Sequence, residues 1–234
     1  MAEFHADRRW TPRTALARFV EVAGEEGART LWFRVWGELC YRRLALFELP
    51  LDAPVRPFQA QVALELAPLG ERDAGGYAAL RPGADAAEIA PRLAAGHRCF
   101  AARRGDELVG TCWVAFGSLW SAYLRGPIQL GPEEACTYET YTAPAARGLG
   151  IGPALTAHIA AELRAAGCRR LLSTVDPDRR PAIRVVEKLG CRRVGTLGYF
   201  GAGPWRREFS HMVAGPSPPG WGAGASAARR IART

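Results

Sequence analysis

Lysine is almost missing from this chain: 31 of its 234 residues are basic, and Lys188 alone among them is not arginine. The net charge of +8 would ordinarily invite a nucleic-acid partner. A near-exclusive use of arginine, in a chain also rich in Ala, Gly and Pro, reads instead as genome-wide codon bias, so nucleic acid is not expected as a partner. Histidine is scarce too: His5, His97, His158 and His211 are the whole set, and no two stand at metal-ligand spacing. Cys40, Cys99, Cys112, Cys136, Cys168 and Cys191 are scattered without a C-x-x-C pair. No metal is therefore expected, no Cys-His nucleophile can be argued, and the cysteines read as reduced thiols of a cytoplasmic protein. No run of about 18 apolar residues occurs, so no membrane-spanning helix is expected. Arg8, Arg9, Arg13 and Arg18 interrupt the apolar stretches near the start, against a secretory signal.

What the chain does have is Arg147-Gly148-Leu149-Gly150-Ile151-Gly152, between a strand-like Thr137–Thr142 and a helix-like Pro153–Ala166. Glycines here let the backbone turn tightly and approach a ligand, while N–H groups at the start of a helix stay free for anionic oxygens. Arg147 adds a charge-assisted contact. A Walker A loop would need Gly-Lys-Ser/Thr, which is missing, and a dinucleotide fingerprint begun at Gly148 would need glycine where Pro153 stands.

The surrounding pattern alternates short elements. Gln61–Leu66 alternates apolar and polar residues as a half-buried strand does, and helical stretches follow at Glu71–Leu80 and Asp85–Ala95, broken by Pro82-Gly83. Arg98–Arg103 and Glu107–Phe116 flank Gly105-Asp106 as a hairpin. After the glycine loop, Leu155, Ile159 and Leu163 recur at helical spacing before Gly167, and a strand is expected at Arg170–Val175. A helix over Pro177–Cys191 places Ile183, Val186 and Leu189 on one side, with Gly190 as its cap.

The Arg-x-x-Gly-x-Gly spacing of Arg147–Gly152 resembles the acyl-coenzyme A pyrophosphate loop of the GCN5-related N-acetyltransferase (GNAT) superfamily, and the element order agrees over roughly residues 60–212. The resemblance implies an α/β (α+β) fold in which a mixed, mostly antiparallel sheet is flanked by helices, here with an N-terminal helical extension. It implies transfer of an acetyl or other acyl group from acyl-coenzyme A to a primary amine, with no metal. It implies that the strand backbone at Tyr141 and Thr142 binds the pantetheine arm, while the N–H groups of Gly148, Leu149, Gly150, Ile151 and Gly152, with Arg147 beside them, hold the diphosphate. The second family signature is altered: Arg179 stands for the usual Asn, Val186 for the Tyr often assigned as general acid, and Cys191 for the Phe. Valine has no proton to give, so Tyr141 and Ser173 are the candidate substitutes. A thiol of pKa about 8.5 leaves tolerably near neutrality even without one.

An ammonium acceptor must lose a proton, and Glu139 is the candidate general base, because a charge inside Thr137-Tyr138-Glu139-Thr140-Tyr141 demands a reason. The alternative is that Glu139 faces solvent or pairs with an arginine; Glu133 and Glu134 are weaker candidates. The segment Gly117–Glu134, with Trp120, Tyr123, Arg125 and Gln129, and the helices near Glu71–Ala95 would choose among an amine-bearing small molecule, a peptide and a protein lysine. A non-catalytic acyl-coenzyme A sensor, motivated by Val186, is the alternative, whereas the compact, complete glycine loop argues against aminoacyl transfer from transfer RNA. Residues 1–58 read as an extension of two helices and a strand at Arg42–Leu51 packed on a core of 59–213, with a possible dimer contact, and 214–234 as a flexible tail.

Overall fold

A computed structural model describes residues 40–213 except 56, 71, 72, 82 and 202. The helices expected before residue 40 and the tail expected after 213 lie outside the described residues. Within them the elements run β1 (Tyr41–Pro50), β2 (Glu65–Leu69), α1 (Ala74–Leu80), α2 (Ile89–Ala94), β3 (Arg98–Arg104), β4 (Glu107–Phe116), β5 (Ser118–Ser121), β6 (Gly126–Gln129) and β7 (Glu134–Thr142). They continue with α3 (Ile151–Ala165), β8 (Arg170–Val175), α4 (Arg180–Lys188), β9 (Arg192–Phe200) and β10 (Arg207–Met212).

Eight strands form one sheet in the order β10-β9-β1-β8-β7-β4-β3-β2, and β5 and β6 form a separate hairpin. Every neighbouring pair of the large sheet is antiparallel except β7 and β8. The mixed, mostly antiparallel sheet expected from the sequence is therefore the fold. Strand alternation divides the core. Ala45, Phe47 and Leu49 of β1 join Ile151, Leu155, Ile159 and Leu163 of α3 on one face. Leu44 and Leu46 turn the other way, toward Leu119 and Ile128 of the small hairpin. On that second face Tyr77 and Ile89, from α1 and α2, pack with Trp113 and Cys99. The sheet thus carries α3 and α4 on one side and α1, α2 and the hairpin on the other.

Two expectations change. The strand placed in an extension at Arg42–Leu51 is real, but β1 lies inside the sheet between β8 and β9, so it is an integral strand and the expected division at residue 58 cuts through one sheet. Its run of buried residues from Leu44 to Leu49 is what a strand covered on both faces requires. The strand expected at Gln61–Leu66 is displaced to β2, at Glu65–Leu69. Residues 58–61 are drawn instead over the glycine loop, where Gln61 N–H donates to the Leu149 carbonyl at 2.9 Å. Pro68 is tolerated within β2 because that strand is the sheet's edge.

Candidate active site

The feature that organises the site is where β7 and β8 part. Their parallel pairing covers Glu134–Thr137 against Arg170–Ser173 and ends at the Thr137/Ser173 pair. Beyond it, Tyr138–Thr142 pairs only with β4, leaving a fork between two strands in the middle of the sheet.

A bulge deepens this break. Thr111 faces Tyr141 and Trp113 faces Tyr138, so two residues of β7, Glu139 and Thr140, oppose Cys112 alone. Glu139 takes the extra place with φ of 48°, a left-handed conformation that costs a non-glycine residue about 1–2 kcal/mol. Strain of this kind persists only where surrounding contacts determine it. Here Glu139 Oε2 accepts from Arg81 Nη1 at 2.6 Å and from Arg92 Nη1 at 2.7 Å, while Oε1 accepts from Arg92 Nη2 at 3.2 Å. Burial alone would raise the Glu139 pKa, but the Arg92 hydrogen bond and the nearby Arg81 charge outweigh it and hold the carboxyl below its ordinary range. A carboxylate so neutralised is a poor proton acceptor. The arginine-paired alternative is the one found. The general-base assignment of Glu139 is corrected accordingly: this side chain pins the bulge to the α1 and α2 region. Glu133 and Glu134 do no better. Glu133 sits near Arg169 at 3.5 Å, and Glu134 bonds Arg170 and accepts from Gly131 N–H at 2.9 Å.

The fork opens into a cleft of about 380 Å³. Thr137, Tyr138, Glu139, Thr140 and Thr142 of β7, Ser173–Val175 of β8, the glycine loop and the Val185, Val186 face of α4 line it. Tyr141 does not. After the bulge the strand's alternation sends Thr140 and Thr142 to the cleft and leaves the Tyr141 side chain buried elsewhere, which removes its phenol as candidate acid. Ser173 does reach the cleft, with its Oγ 2.6 Å from Thr137 Oγ1 at the crotch of the fork. Val186 also lines the cleft, so the position of the usual acid faces the site without a proton.

The glycine loop is built as a cradle. Gly148 and Gly150 have φ of 84° and 78°, and Gly150 is the N-cap of α3. A Cβ on Gly150 would sit 3.0 Å from Phe58 Cε1, so the overlying segment depends on its absence. The N–H groups from Gly148 to Gly152 have no acceptor among the described residues, and Pro153 in the first turn has none to offer. They lie at the start of a 15-residue helix, where partial positive charge collects. This donor set fits a diphosphate. Arg147 is placed differently from expectation, since it does not line the cleft, whereas Leu149 keeps its N–H in the donor set while its side chain turns away from the cleft. Arg147 Nε reaches the Thr142 carbonyl at 3.4 Å, and Leu149 packs on the core as its carbonyl receives Gln61.

On the sheet's other face a polar and aromatic cluster abuts the fork. Tyr138 contacts His97 Nδ1 through its hydroxyl at 2.6 Å, and its ring lies 6.1 Å from that of Trp113, whose indole N–H donates to Tyr77 Oη at 2.9 Å. The Arg92 guanidinium stands 5.2 Å from the Trp113 ring centroid and 5.7 Å from that of Tyr138. None of these partners was legible as a site residue, because the pairing joins residues 41 positions apart.

The forked parallel pair and the helix-capping glycine cradle thus open on one cleft. Residues 70–191, more than half of the chain, match the family model of the acetyltransferase (GNAT) family. The chain belongs to that family. A GCN5-related N-acetyltransferase from Sphaerobacter thermophilus superposes with a TM-score of 0.53 at 16% identity, covering 84% of this chain and 70% of that one. A GNAT-family protein from Novosphingobium aromaticivorans gives 0.48 at 21%, covering 67% of this chain and 63% of that one. An aminoglycoside acetyltransferase from an uncultured soil sample, solved with sisomicin, gives 0.43 at 16%, covering 54% and 86%. No curated protein matches the chain significantly. Among the described residues no cluster of His, Cys, Asp or Glu could hold a metal, and no helix is long and apolar enough to cross a membrane.

Proposed function

We propose that this protein is an N-acyltransferase that passes an acetyl or other acyl group from acyl-coenzyme A to a primary amine by direct attack. The observation that carries the reading is the continuity of the cleft from the Gly148–Gly152 donors to the Thr137/Ser173 fork. A diphosphate on the loop would direct a pantetheine arm along Thr142 and Thr140, with the thioester at the crotch. When bound, acyl-coenzyme A supplies the activated acyl carbon and a thiolate leaving group. The chain supplies position, exclusion of water, and backbone N–H groups freed where β7 leaves β8, which suit a developing oxyanion.

The acceptor is an amine-bearing small molecule, peptide or protein that approaches from the α1/α2 face, opposite the loop. The six cysteines are unpaired, which fits a cytoplasmic protein. The sensor reading is motivated by Val186 and differs in outcome. Acetyl-coenzyme A at ~100 times its dissociation constant should stabilise the fold by ~2.7 kcal/mol in either case. Thiol release with one member of a broad amine panel is expected for the transferase. Stabilisation without release from any amine would establish the sensor, and no stabilisation by short or long acyl-coenzyme A would remove both.

A further inference from the structure

With Glu139 engaged by two arginines, no other carboxylate among the described residues lines the fork to take the acceptor's proton. The cluster next to it offers another path. Tyr138 is the first residue past the last β7–β8 pair, lines the cleft and keeps partial exposure. Its side chain joins the α1/α2 face, where it packs beside Trp113. Its hydroxyl meets His97 Nδ1 at 2.6 Å, with the rings 5.5 Å apart and nearly perpendicular at 81°. His97 lies just past α2 on that face and is itself half-buried. A neutral imidazole has one N–H and one lone pair. In the tautomer that carries its N–H on Nε2, the Nδ1 lone pair accepts from the Tyr138 hydroxyl.

We infer that Tyr138 and His97 form a two-residue proton relay that deprotonates the attacking amine. This rests on the transferase reading and names its missing base. As the bond from nitrogen to the acyl carbon forms, an amine proton passes to the Tyr138 oxygen. The Tyr138 hydroxyl proton moves at the same time to His97 Nδ1, so the phenol ends neutral. The carbon–sulfur bond breaks with its electron pair on the departing thiolate, and the His97 imidazolium returns its proton to solvent.

Burial and the charged surroundings set the protonation states from which the relay starts. Burial pushes the Tyr138 phenol well above its ordinary value, with Arg92 opposing and Glu139, Cys99 and Tyr77 adding to the rise, so it is a proton donor in the resting protein. Burial lowers His97, Ser118 opposes, and the Arg92 charge lowers it further, so the imidazole is neutral at pH 7. Arg92 is in turn held by Glu139 and Glu88, which ties the relay to the bulge.

The test combines kinetics with a titration that needs no acceptor. In the free protein, the His97 ring-proton shift followed by NMR should titrate below the ordinary histidine value near 6.5. Tyr138→Phe, which preserves the ring beside Trp113, should move that titration upward by removing a hydrogen bond that favours the neutral ring. With a turned-over amine, wild-type kcat should fall on the acid side as His97 protonates. His97→Gln should abolish that limb and lower kcat at pH 7.5 by about 10²-fold, as should Tyr138→Phe, the range of a lost general base. The acetyl-coenzyme A thermal shift should survive in both variants. A His97 titration indifferent to Tyr138→Phe, or a His97→Gln enzyme that keeps its acid limb and its kcat within about twofold, would overturn the relay alone. Loss of ligand stabilisation in the wild type would instead strike the underlying transferase reading.

Discussion

Replacing Glu139 by Gln isolates what its carboxylate does, because it keeps the size of the side chain and removes the charge. Arg81, Glu139 and Arg92 side chains are 8%, 14% and 22% exposed, so the charges are largely withdrawn from water. Breaking a buried pair from one side costs about 3–5 kcal/mol, because the partner's charge is left uncompensated. Arg92 keeps Glu88 at 2.6 Å and Gln retains one acceptor oxygen, which places the expected loss near the lower end, about 3 kcal/mol. For a chain of this size that is a fall in Tm of about 6–12 °C. The pH dependence has a defined sign. The folded Glu139 pKa lies below its ordinary 4.5, so its contribution is complete above that pH and is lost as pH falls through the lower folded value. Urea melts should therefore show the largest gap between wild type and Glu139→Gln at pH 7 and a shrinking gap below pH 4.5. The left-handed backbone supplies a second check: Glu139→Gly should be more stable than Glu139→Ala by about 0.5–1 kcal/mol, since glycine escapes the left-handed penalty but loses more chain entropy. A Glu139→Gln protein of undiminished stability whose kcat collapses would refute the clamp and restore Glu139 as the base.

Gly152→Asp should separate binding from folding: a Cβ there meets only Thr142 Oγ1 at 3.9 Å, and a carboxylate in the first turn of α3 suits the helix dipole. Tm is expected to hold or rise slightly while affinity for acetyl-coenzyme A, measured calorimetrically, falls at least tenfold; unchanged affinity would remove the loop from the site. Val186→Tyr would return a phenol to the cleft wall, and severalfold faster turnover is expected if thiolate departure limits the rate. Equal kcat in single-turnover experiments would show that it does not. Burial pushes the thiols of Cys112, Cys136 and Cys191 up to about 12, so a thiol reagent at pH 8 should label half-buried Cys40 and Cys168 and reach those three only after unfolding. Rapid native labelling of Cys112, read by mass spectrometry, would contradict the packing described here.

The parts of this molecule legible in the sequence are those whose physics is local. Gly148 and Gly150 announce their positive φ by being glycine, and Leu155, Ile159 and Leu163 announce the buried face of α3 by spacing alone. The hairpin of β3 and β4 required only a Gly105-Asp106 turn between adjacent strands. What stayed hidden depends on partners far along the chain. β1 enters the sheet beside strands more than a hundred residues later, and no property of Tyr41–Pro50 specifies which strands those are. The bulge is the sharper case. Its left-handed residue is a glutamate, where local preference argues against such a conformation, and the compensation comes from Arg81 and Arg92, 58 and 47 positions away. A charge within a β-rich run marked position 139 as unusual but could not distinguish a base from a clamp, since both need a carboxylate there. The distinction lies in how many cations face it. Two guanidiniums make Glu139 an anchor, and in the proposed relay the proton-accepting role passes to Tyr138, one residue earlier, because that side chain has an imidazole nitrogen behind it where Glu139 has guanidiniums.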